Sequence, residues 1–251
     1  MKSTGKPRKK STRKFKRTPL YILLVFVAVQ LLPVLFVLPV FNYFQGQGMD
    51  FDLAEAATSG WLIFWSMGIG CMVALFFILR DKNFFNIWKG KPANYAIAVL
   101  WGVLGFFMLL LGQTLAAMIE MAIGIEPGSE NTSSLVTIAK VAPVAIVAVV
   151  LFGPILEELV FRRVIFGSLN QTTNFFFATA VSALVFALVH VDFTHLLLYF
   201  ATGLILAFLY QHTKRIITPI IAHILLNGYV MVINLNMDKI ENFLKQLENM
   251  Q

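Results

Sequence analysis

Three charged residues lie close together inside an otherwise apolar stretch of the chain: Glu157, Glu158 and Arg162. Adjacent carboxylates in such a helix repel each other and resist ionisation unless each has a partner. Helical spacing supplies one, because Glu158 and Arg162 are four residues apart and lie on one helix face. Glu157 points about 100° away and is predicted to be free to accept a proton or polarise a water. The alternative interpretation is that these residues mark the end of a span in the lipid headgroups.

Histidines occur in two later apolar stretches. One stretch ends in His190, which is followed by Asp192 and His195, and another contains His223 and Asn227. The last two are four residues apart, so they project from one helix face into the bundle. A single histidine in a membrane helix is more often a hydrogen-bonding group than a catalyst. Here three helices each bring a group that transfers protons or donates hydrogen bonds, which favours one common site.

The depth of these residues in the membrane permits such a site. At a rise of about 1.5 Å per residue from the inner helix ends, Glu157, His190 and His223 lie about 20, 24 and 12 Å deep. The first two depths agree, and helix tilt can account for the third. Pro154 lies just before the glutamates. Because proline cannot donate a backbone hydrogen bond, we expect the helix to kink there and to open a pocket.

The other polar residues in or near the apolar stretches receive structural interpretations. Asp192 and His195 are predicted to line a loop at the outer surface, because loops naturally carry polar residues; the alternative is that they support His190. Gln30 and Gln113 are interpreted as partners in hydrogen bonds between helices.

The elements that must position these residues are apolar helices. Hydrophobic residues make up 58% of the 251-residue chain and charged residues 13%, whereas about a quarter of a soluble domain is charged. A water-soluble fold is therefore excluded, and the single cysteine, Cys71, excludes a disulfide framework. The apolar stretches are, approximately, residues 20–41, 61–79, 95–119, 141–161, 175–191, 195–210 and 216–235. They predict an all-α fold, a polytopic transmembrane helical bundle of about seven spans.

Charges outside the apolar stretches predict orientation and domain organisation. The formal net charge is +7, but residues 1–18 hold nine lysines and arginines and no acid. Directly before a span, this tail is expected to bind anionic lipid rather than nucleic acid and to keep the N-terminus cytoplasmic. Basic and acidic loops alternate after it, which places the C-terminus outside. The predicted regions are a basic cytoplasmic tail at 1–18, a transmembrane scaffold at 19–135, a core at 136–236 and a C-terminal tail at 237–251, either a short amphipathic helix or frayed.

The ordered polar motifs resemble those of the CPBP family of intramembrane proteases. That family includes CAAX prenyl endopeptidases and the bacteriocin-processing and immunity proteins of the Abi group. The matching motifs are Glu-Glu-x-x-x-Arg at 157–162, Phe-x-x-x-His from Phe186 to His190, and His-x-x-x-Asn from His223 to Asn227. Each motif alone is weak, but the ordered set in a polytopic chain is specific. The match covers approximately residues 154–227.

The resemblance implies an endopeptidase that cuts its substrate near or within the membrane. Carried over to this chain, Glu157 is the general base, and His190 shares the water or shuttles the proton. His223 and Asn227 orient the scissile carbonyl and stabilise its oxyanion. Supporting roles fall to Glu158, Arg162 and Phe186.

The residues alone do not decide whether the site holds a zinc ion. Glu157, His190 and His223 are a suitable set of zinc ligands with one position left for water. They come from separate helices, without the His-Glu-x-x-His spacing of soluble zincins, and the family has been described both as metalloproteases and as glutamic proteases. The preferred expectation is that no zinc is tightly bound, and a zinc site is the alternative.

Two other functions compete with the peptidase. One is a non-catalytic Abi-type immunity or scaffold protein that binds a peptide or partner in the same cavity. The other is a proton-coupled transporter, against which the lack of a repeated half argues. The complete acid–base set favours the enzyme, in a multi-pass protein of a bacterial cell membrane. Its expected partners are anionic lipids and a peptide or protein substrate, either prenylated or a leader or signalling peptide.

Overall fold

The computed structural model describes residues 17–249, which contain helices and no strand. The basic tail predicted at 1–18 lies almost wholly outside the described residues. The helices are α1 (Thr18–Gly46), α2 (Phe51–Arg80), α3 (Tyr95–Ala122), α4 (Glu130–Val141), α5 (Val144–Leu169), α6 (Phe175–Leu188), α7 (Leu196–Thr213), α8 (Ile217–Leu235) and α9 (Met237–Glu248). Six of them are long and apolar enough to cross a membrane, and α6 is a shorter apolar helix. The predicted all-α membrane bundle of about seven spans is therefore confirmed.

Short polar side chains fix where several helices begin. The Asp50 carboxylate accepts a hydrogen bond from the Leu53 backbone N–H at 2.9 Å, which starts α2 well before the apolar stretch predicted from residue 61. Asn94 and Asn174 cap α3 and α6 in the same way. Ser129 caps α4, a helix that the hydropathy pattern did not predict. Such caps satisfy backbone donors that have no partner in the first helical turn.

Helix α5 departs from regular α-helical geometry on both sides of Pro154. The segments Ala148–Phe152 and Glu158–Phe166 are π-helical, and the short piece between them is α-helical. Proline lacks the N–H that would continue the hydrogen-bond ladder, so the distortion predicted at this position is observed. Because π-helical turns widen a helix and occur frequently at functional sites, this segment is a natural place for a cavity.

The chain leaves helical geometry early at the end of α6. The helix ends at Leu188, short of the predicted residue 191, and Val191 adopts a left-handed conformation with φ of 56°. A β-branched residue adopts that conformation only at a cost, so the turn is held by its surroundings. Because α6 ends early, His190 lies inside the bundle, deeper than the end of a full-length span would place it.

Helix α6 is held tightly against α7 by a glycine. A Cβ atom added at Gly203 would lie 2.7 Å from the Ala183 Cα atom, which is too close for any other residue. Small residues allow membrane helices to approach closely and gain van der Waals contact. This contact fixes the position of the α6 end, and with it the histidine that follows.

The two ends of the bundle carry loops of opposite charge. At one end the Lys214 ammonium donates to the Lys89 carbonyl at 2.8 Å, and the Arg215 guanidinium donates to the Ala93 carbonyl at 2.9 Å. The basic loops after α2 and α7 therefore meet at one end. The α3–α4 loop and the α6–α7 turn meet at the other.

Candidate active site

Glu158 is completely buried and has two partners. Its Oε2 atom lies 3.2 Å from Arg162 Nε, and its Oε1 atom lies 2.8 Å from His223 Nδ1. The predicted pairing with Arg162 is confirmed, as an ion pair rather than an aligned hydrogen bond. The contact with His223 joins α5 to α8 and was not predicted, because it depends on how the helices pack.

Glu157 has a different environment from its neighbour. Its side chain is 19% exposed, and its Oε2 atom lies 3.7 Å from His223 Nε2, beyond hydrogen-bonding distance. Within the described residues, that oxygen has no hydrogen-bond partner. Glu157 therefore has the free carboxylate oxygen that the helical spacing predicted, with a histidine behind it.

His190 is oriented by the last turn of its own helix and by an aromatic neighbour. Its Nδ1 atom lies 2.8 Å from the Phe186 carbonyl oxygen, so we assign the ring proton to Nδ1. The imidazole stacks on the Tyr199 ring with centroids 4.2 Å apart. These contacts leave Nε2 as the nitrogen with a lone pair, which can accept a proton or a hydrogen bond from water.

Phe186 connects the charged residues to both histidines. Its ring lies beneath the Arg162 guanidinium, 4.4 Å from the ring centroid, and its centroid is 4.6 Å from that of His190. The His223 ring packs edge-on against it at 5.8 Å. A guanidinium over an aromatic face gains cation–π attraction, which is stronger away from water.

Asn227 and His223 lie at different distances from open space. Asn227 lines the main cavity, whereas His223 is buried behind Glu157. The Asn227 amide donates to the Val149 carbonyl at 3.0 Å. In the π-helical turn that carbonyl would pair with residue 154, and Pro154 has no N–H to offer. Asn227 therefore donates to a carbonyl that Pro154 leaves without a backbone donor. The second N–H of the Asn227 amide is not used in this bond.

A cavity of about 510 Å³ joins these residues. This volume lies within the range of small-molecule and peptide sites, about 300–1,000 Å³. Its titratable lining, among the described residues, consists of Glu157, His190 and Tyr199. Helix α4 covers one side through Asn131 and Thr132. The structure thus brings Glu157, His190 and Asn227 to one cavity and leaves His223 just behind its wall.

The polar residues after His190 form a network at the acidic end of the bundle. Ser129 donates to Asp192 at 2.7 Å and lies 2.9 Å from the Tyr199 hydroxyl, to which Asn131 also donates. Asp192 thus belongs to a turn, as predicted. It is also linked, through the hydroxyls of Ser129 and Tyr199, to the ring that stacks on His190. Neither Tyr199 nor Ser129 is identified from the sequence. The one signal for Ser129 is the polar run before α4, a helix that was itself not predicted.

His195 is paired with a carboxylate from another helix. Its Nδ1 atom lies 3.0 Å from Glu120 Oε2, and its backbone N–H donates to Asp192. The hydrogen bond to Glu120 is the main cause that raises the pKa of His195, Asp192 adds to it, and burial opposes it. His195 does not line the cavity.

This pair is expected to make stability depend on pH. A raised pKa in the folded state gives stability that is fully present below the unfolded pKa of about 6.5 and is lost as the pH rises through the folded value. A charge-assisted bond of this kind contributes about 2 kcal/mol.

The thermal midpoint of the parent protein should therefore exceed that of His195→Gln at pH 6, by a margin that shrinks towards pH 9. The control is His212→Gln, whose ring packs on aromatic side chains. A margin that does not change with pH would contradict this account.

The donor set for a metal fits in type but not in spacing. His190 and His223 each have Nδ1 held by an oxygen and Nε2 left over, as metal-binding histidines usually do. Across residues 17–249, however, no three histidine, cysteine or acidic side chains lie close enough together to hold one ion.

The two glutamines within spans differ from each other. Gln113 donates to the Thr202 hydroxyl at 3.2 Å, so its predicted role between α3 and α7 is confirmed. The same interpretation is wrong for Gln30, whose side chain makes no hydrogen bond within the described part of the chain. The physical reason is that Gln30 lines the cavity, where no neighbouring helix approaches it.

Comparisons with known proteins identify a family and two similar bacterial proteins. A family model described as type II CAAX prenyl endopeptidase Rce1-like matches residues 139–229. The Bacillus subtilis (strain 168) protein named membrane peptidase YdiL is 38% identical over 229 residues, which cover 90% of each chain. Membrane-embedded CAAX protease MroQ of Staphylococcus aureus (strain USA300) is 33% identical over 225 residues, 86% of this chain and 88% of that protein. No solved structure matches.

The matched region and the matched lengths support one conclusion. The family match contains all three polar motifs, from Glu157 to Asn227. Both relatives also cover the helices before them. The chain is therefore a multi-pass membrane protein whose substrate is a peptide or protein, and it belongs to the Rce1-like family of type II CAAX prenyl endopeptidases.

Proposed function

We propose that this chain is an intramembrane endopeptidase in which Glu157 and His190 activate a water in the cavity. One observation carries the proposal. Of two adjacent carboxylates in α5, Glu158 is held by Arg162 and His223. Glu157 lines the cavity, is 19% exposed and makes no hydrogen bond with any described residue. A general base needs such a free oxygen within reach of a water, in a site where neighbouring groups are already fixed.

The proposed reaction is hydrolysis of a peptide bond. Glu157 accepts a proton from water as the water oxygen bonds to the scissile carbonyl carbon, and His190 Nε2 holds the water through its lone pair. The tetrahedral intermediate then loses its C–N bond. The proton on Glu157 passes to the leaving nitrogen, directly or through His190, and the products are a carboxylate and an amine.

Asn227 and His223 are the proposed stabilisers of the oxyanion. Asn227 lines the cavity and has an amide N–H besides the one given to Val149. His223 lies behind Glu157 with its ring fixed by Glu158, so its proposed role requires a proton on Nε2 as well as on the Nδ1 atom that faces Glu158. Donors held in place before the reaction stabilise developing charge strongly in a site with little water. Removal of one such donor typically costs about 10²–10³-fold in rate.

The mechanism is proposed to work without resident zinc. The support is the spacing of Glu157, His190 and His223, which does not bring them around one point. Purified protein is expected to contain far less than one zinc per chain by mass spectrometry and to keep its activity after chelation. One zinc per chain that is lost in His190→Ala would overturn this part of the proposal.

The proposed substrates are a prenylated CAAX peptide or a leader or signalling peptide. The first follows from the descriptions of the matched family and of MroQ as CAAX proteases. The proposed location is a bacterial cell membrane with the N-terminus in the cytoplasm. In this orientation the tail at 1–18, with its nine basic residues, lies on anionic lipid of the inner leaflet.

The experiment uses the full chain in lipid nanodiscs. The probes are a farnesylated fluorogenic CAAX peptide and the same peptide without the farnesyl group, and mass spectrometry identifies the product ends. Cleavage of either peptide at one internal bond supports the proposed function, and the ratio of the two rates gives the contribution of the lipid. Binding of a probe without any cleavage would instead support a non-catalytic Abi-type immunity or scaffold protein.

A further inference from the structure

The Gln30 amide has no hydrogen-bond partner among the described residues, although it lies in the middle of a span. Gln30 lies in α1, twelve residues from the helix start at Thr18, or about 18 Å along the axis. Its side chain is exposed and makes no hydrogen bond with any described residue. An amide at this depth normally finds a partner in a neighbouring helix, because lipid offers none. Gln30 lines the cavity, so a polar group that enters the cavity meets an amide that no described residue occupies.

Helix packing sets Gln30 opposite the catalytic carboxylate. The rings of Phe26 in α1 and Phe161 in α5 meet edge-on with centroids 5.5 Å apart. The start of α1 and the end of α5 share the basic end of the bundle, so the two helices are antiparallel. Gln30 is four residues after Phe26, on the same face of α1, and Glu157 is four residues before Phe161 in α5. Both residues are therefore one helical turn further from the basic end than the two rings. Both residues line the same cavity.

The depth of the two residues agrees with this register. Glu157 lies twelve residues before Leu169, the end of α5, which is again about 18 Å from the basic end of the bundle. Gln30 and Glu157 are thus at one level on two walls. A substrate bond held at Glu157 therefore lies at the level of the Gln30 amide.

Helix α1 is also irregular just after this residue. A 3₁₀ segment runs from Leu32 to Phe36 and contains Pro33. Proline has no N–H for the Val29 carbonyl, which would be its partner in a regular α-helix. Val29 and Pro33 line a separate apolar pocket between α1 and α2, so this irregularity lies away from the cavity wall.

The chemistry of the cavity identifies the class of group that Gln30 can take. Its lining contains no lysine or arginine within residues 17–249, and Glu157 is its one carboxylate there. The remaining polar lining is neutral, with amides of Gln113, Asn131, Asn227 and Asn234. Amides pair with peptide groups as donor and acceptor at once. Phosphate or another anionic group would find no cation among these residues.

We propose that Gln30 is a substrate-binding residue that hydrogen-bonds the peptide backbone of the substrate beside the scissile bond. The proposal rests on the function proposed above. The substrate segment lies extended between α1 and α5, because a helical segment has no free peptide groups to offer. Gln30 binds and orients the segment, and Glu157 performs the chemistry.

The test compares Gln30→Leu with Gln45→Leu, a substitution of an exposed glutamine on the same helix that lies outside the cavity lining. The probe is the farnesylated fluorogenic CAAX peptide, with its non-prenylated counterpart as a second probe. Loss of one hydrogen bond to the bound peptide should raise KM by about fivefold to tenfold in Gln30→Leu. The thermal midpoint should stay equal or rise, since an unpaired amide is removed from the membrane interior. Gln45→Leu should match the parent protein in both quantities.

The outcomes separate this inference from the proposed function. Unchanged KM in Gln30→Leu, with cleavage that still depends on Glu157, would overturn the role of Gln30 alone. A raised KM together with a lowered thermal midpoint would mean a structural role and would also overturn it. If the parent protein cleaves neither peptide and leaves the membrane proteins of its host uncut, the proposed function fails first.

Discussion

Glutamine in place of Glu157 is expected to lower the rate of peptide cleavage by about 10²–10⁴-fold, the usual contribution of a positioned general base. The change removes the proton acceptor and keeps the shape of the side chain. Because Glu157 makes no hydrogen bond with any described residue, the one structural contact affected is the long 3.7 Å contact of its Oε2 atom with His223. The measurement is kcat of the purified protein on the farnesylated peptide, with the thermal midpoint as a test of folding.

A matched control distinguishes loss of the base from a general effect of charge. Glu241 lies in the exposed helix α9 and does not line the cavity. Glu241→Gln removes the same charge and should leave kcat unchanged. A Glu157→Gln protein that cleaves the peptide at the parent rate would show that another group activates the water.

Methionine in place of Arg162 is expected to lower the free energy of unfolding by about 3–5 kcal/mol. Arg162 and Glu158 are both fully buried, with their charged atoms 3.2 Å apart. Removing the cation leaves an uncompensated carboxylate in the membrane interior and takes the guanidinium from the Phe186 ring. Unfolding of the protein in detergent micelles, followed by circular dichroism, measures the change.

A double substitution tests the electrostatic cause of that loss. Glu158→Gln in the Arg162→Met background removes the stranded charge, and its amide oxygen can still accept from His223. Much of the lost stability should return, because replacing a whole buried ion pair is far less costly than breaking it. Losses that simply add in the double variant would mean that packing, rather than charge, dominates this position.

Much of the bundle and of the candidate site follows from local sequence. Spans are recognisable because a helix in lipid needs a long apolar run, and the pairing of Glu158 with Arg162 follows from helical spacing. The free position of Glu157 is predicted by the same geometry. His190 is harder, because its place depends on α6 ending three residues before the apolar stretch does.

The remainder depends on contacts between distant segments. Nothing local to Tyr199 indicates that its ring supports His190, or that its hydroxyl meets the cap of α4. The sequence predicts a structural amide at Gln30, because single glutamines in spans usually bond neighbouring helices. Its cavity-facing position follows from the packing of Phe26 on Phe161, which no spacing along one helix can reveal.

One measurement tests the central claim that Glu157 makes this chain a peptidase. Membranes from cells of the source organism that express the parent protein, Glu157→Gln or Glu241→Gln at equal levels are compared by mass spectrometry of protein ends. We expect a set of new ends, from sites in or next to spans, in the parent and Glu241→Gln membranes and its loss in Glu157→Gln. Identical ends in all three would contradict the account, because no cleavage would then depend on Glu157.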